Sequence, residues 1–505
     1  MNLQPILYPA GLLLLLLVAG SSLAWLKRKK GRLTLYRFYV SLPLGWLGAA
    51  FAVVATYFSV TLFSEGMRGA YQYGLGWTFS SLGQLASLVI LLGFVGVRLS
   101  RIRKRLGPIG VVDLLTKRYD SAWVGVLSAL LLLVFSCSLM IVQWSVVIRV
   151  TRAVAREQSS IAIGVTALVF FGYVVWAGAR GVVATDIIQG LVVAVCGVLL
   201  VYLAIRDGKT MTHYTVRLHV QNPAYLLPRG PDGAPTQSIW WVISSWATMG
   251  FCTLGLPHLA DRVMSIEKPR VIGWTMLVAA LLGGVVFFGF HMLGTWARII
   301  LPGGQVLAFD GSRSQEHLLL LQPLAQHLLP TGSSGLVLAT VLAAALSTAD
   351  SLLLTTSVSL ARVVGRRRSR PVQSGSRPFR RRQVLVSRLL MLLVFGAVLL
   401  LSFNPHQVST IVGPMAIWAL GCTFLAPLLL GLFWRRANVY GTLAGTLTGL
   451  TALALAWLGI GVSFPWLHVA ALPLGLSFAV NIVVSLLTPA PSPRVLDAFW
   501  GQASH

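Results

Sequence analysis

Carboxylates are scarce in this chain. Its 505 residues include 13 Asp and Glu against 40 Lys and Arg, and charged residues of both signs make up only 10%. An ordinary soluble domain carries about 25%. With 56% of residues hydrophobic and a mean hydropathy of +0.79, a soluble globule of this size is excluded, because much of any folded surface has to face water. A disordered chain is excluded for the same reason. Cysteine is scarce too. Cys137, Cys196, Cys252 and Cys422 lie singly in apolar runs without CxxC spacing. That rules out a disulfide scaffold and a zinc or redox motif, and the four read as small buried apolar residues. No nucleophile–base pair, metal-ligand cluster or phosphate-binding glycine motif occurs, so an enzyme is the poorest reading. What remains is an all-α polytopic membrane protein.

A hydrocarbon core of about 30 Å needs roughly 20 apolar residues per helix. That ruler predicts thirteen spans, at 5–26, 42–63, 76–98, 122–148, 160–178, 183–205, 238–257, 271–297, 333–361, 387–403, 409–433, 439–461 and 466–487. The first has no basic n-region, and Lys27 to Lys30 follow it. It therefore reads as a retained helix rather than a signal peptide.

The net charge of +27 is segmental. With the N-terminus outside and the C-terminus inside, the inner segments hold 30 of the 40 basic residues, as the positive-inside rule requires. No basic stripe with interleaved aromatics stands outside the spans, so nucleic acid is not an expected partner. The densest basic stretch, 365–383, reads as a cytoplasmic loop. It serves either as a topology anchor or as a contact for anionic lipid. The outer loops 206–237 and 298–332 are expected to carry short helices.

A carboxylate at membrane depth is costly and tends to face water, an ion or a cationic partner. Ten of the acids, Asp113 and Asp261 among them, read as loop residues; Glu65, Asp186 and Asp350 lie in or against spans. Glu65 is three residues from Arg68, an ion-pair spacing, or both line a vestibule. Asp186 falls near the predicted start of the sixth span, where it could cap the helix or line a cation path. Around Asp350, Ala344, Ser347, Thr348 and Ser351 share one helical face. Oxygens without fixed charge suit a hard monovalent cation; equally, small and hydroxyl residues let membrane helices pack closely.

Several motifs then coincide in order: FAVVATYFSVTLF (51–63), LGPIGVVDLLTKRYDS (106–121), GARGVVATDIIQG (178–190), GLPHLADRVMS (255–265) and AALSTADSLLL (344–354). Over roughly 40–440 the chain resembles the sodium:solute symporter family. The resemblance implies a leucine-transporter-like core of five plus five helices in inverted repeat, the first helix of each broken near the midplane. The chain would divide into a first peripheral helix and basic loop (1–41), a first repeat (42–205), an extracellular loop (206–237), a second repeat with its basic loop 362–388 (238–433), two peripheral helices (434–487) and a cytoplasmic tail (488–505).

The resemblance also implies a site for Na⁺, the coupling ion, made by the carbonyls of Ala55, Phe58 and Ala344 and the hydroxyls of Ser347 and Thr348. Asp186 would lie on the inner sodium path. A small organic solute would bind at midspan among Ser59, Thr61, Ser244, Ser245, Trp246, Thr248 and Thr253. His258 would hold a helix end. The expected function is Na⁺-coupled symport of that solute into the cell by alternating access, by a monomer in the cell membrane. A proton-coupled carrier titrating Asp186 or Glu65 and a transporter-like membrane sensor are the alternatives.

Overall fold

A computed structural model of the chain describes residues 9–16, 18–19, 45–60, 66–107, 109–206, 210–264, 266, 269–301, 320, 324, 327–328, 334–367, 377–403, 408–460, 464 and 467–501. Thr61, Glu65 and residues 368–376 of the basic stretch 365–383 lie outside these residues. Among the described residues the chain is helical, with no strand. We label the helices α1 (Trp46–Tyr57), α2 (Met67–Tyr73), α3 (Leu75–Leu106), α4 (Val111–Arg118), α5 (Ala122–Ala155), α6 (Ser159–Ala177), α7 (Ala179–Ile205), α8 (Met211–Gln221) and α9 (Ile239–Leu254). Then follow α10 (Pro257–Met264), α11 (Pro269–Ile300), α12 (Ser334–Arg367), α13 (Arg377–Ser402), α14 (Val408–Phe433), α15 (Val439–Trp457), α16 (Ala471–Leu487) and α17 (Pro493–Trp500).

Nine helices among the described residues are long and apolar enough to cross a membrane, ten if the bent pair α9–α10 counts as one. Among the described residues the thirteen expected from hydropathy are not all found as full spans, and much of the first, 5–26, lies outside those residues. α1 and α16 are apolar but too short by themselves. For α1 the reason is a break: its last rung is Phe58 N–H to the Val54 carbonyl (2.9 Å), and Phe58 then leaves the helical region at φ −91°, ψ 87°. No proline forces this; β-branched and aromatic residues with weak helix propensity crowd the end of α1. The seventh span bends by 55° between α9 and α10. There Gly255 packs against the backbone of α14, and Pro257, with no N–H, is suited to start a helix but not to continue one.

The turn between α6 and α7 is a single residue. Gly178 sits at φ +60°, ψ −153°, a conformation essentially reserved for glycine. α7 consequently starts at Ala179, ahead of the expected 183, and Asp186 lies two turns inside it. The capping role considered for Asp186 is therefore ruled out.

α12 is the central helix: 94% of its most apolar stretch is buried, against α1, α5, α7 and α13. α15 and α16 pack on each other at the periphery. Gly441, Gly445 and Gly449 form a glycine ridge there, where an added Cβ would fall 2.0–2.7 Å from Ser485, the Asn481 and Ser477 carbonyl or side-chain atoms, a close approach typical of membrane helices.

At the basic end, two acids read as loop residues are instead structural. Asp113 is buried in α4 and ion-paired with Arg362 of α12. Asp261 of α10 accepts the Val111 N–H at the start of α4 (2.8 Å), a capping interaction that offsets an otherwise unsatisfied donor. Arg118 is 1% exposed and donates to the carbonyls of Gly431, Trp434 and Arg435. Burial pushes its guanidinium below its ordinary value.

Candidate functional site

The broken end of α1 meets the middle of α12. Ser347 Oγ donates to the Ala55 carbonyl (2.9 Å) and lies 3.1 Å from the Ala344 carbonyl, which Thr348 Oγ1 also reaches at 3.3 Å. Ala55, Ala344, Ser347 and Thr348 are all buried. Four uncharged oxygens from two helices thus converge, and Phe58, buried at the end of α1, follows Ala55 by three residues. The contact depends on α7 lying close to α1. An added Cβ at Gly190 would sit 2.4 Å from the Phe51 carbonyl and 3.3 Å from Ala55 Cβ. Gly190→Ala is therefore expected to push α7 off α1 and lower uptake at least several-fold. Unchanged transport kinetics in that variant would show that the close approach is not needed.

Next along the buried face of α12 lies a charged cluster contributed by four helices. Arg262 of α10 is ion-paired with Asp186 of α7 and donates to Ser351 Oγ of α12 (2.6 Å). Tyr173 of α6 donates to Asp350 Oδ2 (3.0 Å), and Ser351 Oγ lies 3.4 Å from Asp350 Oδ1. With its amide nitrogen turned toward Asp186, Gln189 donates at 3.3 Å. Asp186 and Asp350 are both 0% exposed. The cluster holds two carboxylates and one guanidinium, enclosed where an unpaired charge would cost several kcal/mol. Asp186, the group a proton-coupled mechanism would titrate, is thus held by a cation.

On the other side of α1, Tyr57 is hydrogen-bonded to Ser87 Oγ and the Gln84 carbonyl of α3. It also lies 3.1 Å from Thr253 Oγ1 of α9, which is 2.9 Å from Ser87 Oγ. Of the expected solute residues, Thr253 belongs to this hydroxyl cluster, and half-buried Ser59 lies just past the break. Thr61 lies outside the described residues, and Ser244, Ser245, Trp246 and Thr248 are engaged elsewhere. Ser244 Oγ accepts the His468 N–H (2.8 Å) and donates to the Trp241 carbonyl. Ser245 bonds the Val242 and Ser80 carbonyls, and Thr248 those of Ser244 and Ser245. Trp246 is 39% exposed, with Nε1 donating to the Phe79 carbonyl (2.7 Å). His468, just ahead of α16, lies between Trp241 and Trp418.

Sequence reasoning missed Tyr57, Ser87, Tyr173, Gln189 and Arg262. Tyr57 stood inside ATYFS, Gln189 inside GARGVVATDIIQG and Arg262 inside GLPHLADRVMS. Arg262 could have been found by asking which cation offsets the carboxylates of spans six and nine. His258 is buried in α10 as a helix-end residue.

Residues 38–449 match the model of the sodium:solute symporter family. The chain is 27% identical to the sodium/pantothenate symporter of Escherichia coli (strain K12) over 470 residues, 91% of this chain and 93% of that one. It is 29% identical to the high-affinity proline transporter of Bacillus subtilis (strain 168), over 52% of each chain. A sialic acid symporter described as Na⁺-coupled in a substrate-bound outward-open state superposes with a TM-score of 0.79 at 18% identity, covering 97% of this chain and 99% of that one. MhsT, in complex with L-phenylalanine, superposes with a TM-score of 0.51 at 17% identity, over 87% of this chain and 98% of that one. These neighbours show the fold, a leucine-transporter-like helical bundle. An all-helical apolar bundle, a helix interrupted beside a hydroxyl-bearing partner and a family match over most of its length converge on one identity: the chain belongs to the sodium:solute symporter family, and it is a sodium-coupled membrane symporter rather than an enzyme.

Proposed function

We propose that this protein imports a small organic carboxylate across the cell membrane with Na⁺. The ion would be held by the carbonyls of Ala55, Phe58 and Ala344 and the hydroxyls of Ser347 and Thr348. The observation that carries this reading is the Ser347 hydroxyl resting on the Ala55 carbonyl where α1 breaks. An ion there binds both helices at once, and so stabilises the arrangement in which they touch. Tyr57, two residues from Ala55, faces the opposite cluster with Ser87 and Thr253. One helix end therefore carries both the ion oxygens and the hydroxyls best placed for solute, together with Ser59. By linkage, solute and Na⁺ must each raise the other's affinity by the same factor. Asp186, beyond Ser351 on the basic side, would line the inner ion path, with the N-terminus outside and the C-terminus cytoplasmic, as the basic segments suggest.

A carboxylate is favoured because the sodium/pantothenate symporter aligns over 93% of its length, the proline carrier over 52%. The test is uptake of labelled pantothenate and labelled proline into proteoliposomes, with and without an inward Na⁺ gradient. Na⁺-driven uptake of pantothenate, lost in Tyr57→Phe, is the expected result. Uptake driven by a pH gradient in sodium-free buffer would overturn the coupling assignment, and Na⁺-driven uptake of neither compound would overturn the solute class.

A further inference from the structure

The basic end of the bundle carries a surface apart from the two clusters described above. Phe94 of α3 and Phe433 at the end of α14 are 59% and 39% exposed, and their rings stack at 4.3 Å and 14°. In a membrane-spanning bundle this exposed pair faces acyl chains. One helical turn further, Arg98 Nε donates to the Leu432 carbonyl (3.1 Å), while its buried Nη2 has no hydrogen-bond partner in the protein. Its guanidinium carbon lies 5.2 Å from the centre of the Trp500 ring, which Arg118 approaches at 5.0 Å and Arg435 at 5.9 Å. The C-terminal helix α17 that brings Trp500 here also accepts Arg105 Nη1 at the Phe499 carbonyl (3.2 Å).

Arg101, Arg105 and Arg435 are near enough to Arg98 to repel its charge. No carboxylate among the described residues pairs with any of the four. Asp497 of α17 is exposed, and Asp113 of α4 is taken by Arg362. Like charges gathered at this density call for a counter-anion, and their position one turn below a lipid-facing aromatic pair says which kind. A free anion would use the guanidinium groups and leave the stacked rings unexplained; an amphiphile uses both. We infer that Phe94, Phe433, Arg98, Arg101, Arg105 and Arg435 form a binding site for one anionic phospholipid. Its acyl chain lies along the two rings. Its phosphate meets the arginines beside Trp500 and so fastens α17 to the ends of α3 and α14. The site is distinct from the basic stretch 365–383.

The full chain, purified in a neutral detergent, is titrated with phosphatidylglycerol, phosphatidylcholine or inorganic phosphate while its thermal unfolding is followed, since a ligand of the folded form raises Tm by mass action. Phosphatidylglycerol is expected to raise Tm saturably, and the other two are not. Arg98→Gln/Arg101→Gln/Arg435→Gln is expected to weaken that response by about 100-fold, from the usual contribution of each basic residue near an anionic lipid surface. Arg380→Gln/Arg381→Gln/Arg382→Gln is expected to leave it intact. An equal response to phosphatidylcholine, a response reproduced by inorganic phosphate, or an equal loss in the second triple variant would each overturn the site. A benzophenone side chain at position 433 gives a second readout that does not depend on the arginine variant folding. Photocapture of phosphatidylglycerol from mixed vesicles supports the site, and capture in proportion to bulk lipid overturns it.

Discussion

Sodium-dependent uptake in Ser347→Ala/Thr348→Ala should require about 100-fold more Na⁺ than in the parent protein. Each hydroxyl oxygen offered to a charged group contributes on the order of 1.5–3 kcal/mol, and about 3 kcal/mol for the pair corresponds to roughly two decades in affinity. Were the hydroxyls only packing aids, hydrogen bonds between membrane helices would set the scale, about 0.6 kcal/mol each. The pair would then shift Na⁺ dependence by less than tenfold. The two readings differ by enough to be separated in one titration of initial uptake rate against Na⁺. The geometry favours the larger effect, because Ser347 Oγ already reaches a carbonyl of another helix (2.9 Å). A double variant with unchanged sodium dependence would remove the ion site from this place.

The second large effect is an asymmetry in the buried cluster. Removing one partner of a buried ion pair typically costs about 3–5 kcal/mol, but the two partners here are not equivalent. Asp186→Asn leaves Arg262 still bonded to Ser351 and still attracted by Asp350. Arg262→Met leaves Asp186 and Asp350, both 0% exposed, repelling each other with no cation between them. Arg262→Met should therefore lower the unfolding temperature clearly more than Asp186→Asn, and adding Asp186→Asn to it should recover part of the loss. Thermal unfolding of the three variants in one detergent decides the matter. If Asp186→Asn proved as costly as Arg262→Met, Asp350 would not be sharing the guanidinium, and the cluster would be a simple pair.

Hydropathy and charge were enough to show that the chain spans a membrane, because a 30 Å apolar layer imposes its length on every crossing helix. They could not show where α1 stops being a helix. ATYFS contains neither proline nor glycine, and its break is stabilised by partners in α12, α3 and α9 that are remote in sequence. The hydroxyl face of α12 was legible from helical periodicity, and its opposite wall was supplied only by family resemblance. Ser244, Ser245 and Thr248 show the reverse case. Their residue types suit a polar solute, yet their hydroxyls are spent on nearby carbonyls and on the packing of α9. Residue type alone does not tell a free hydroxyl from a satisfied one.

Local sequence thus determined the apolar segments, their basic flanks, the glycine hinge at 178 and the small-residue face of α12, since each depends on near neighbours along the chain. Tertiary structure alone decided that Arg262 neutralises Asp186 from 76 residues away, that Asp113 and Asp261 fasten helices rather than occupy loops, and that Trp500 ends among arginines of three other segments. A buried charge or a broken helix is stable only with a compensating partner, and which partner arrives is set by how helices pack.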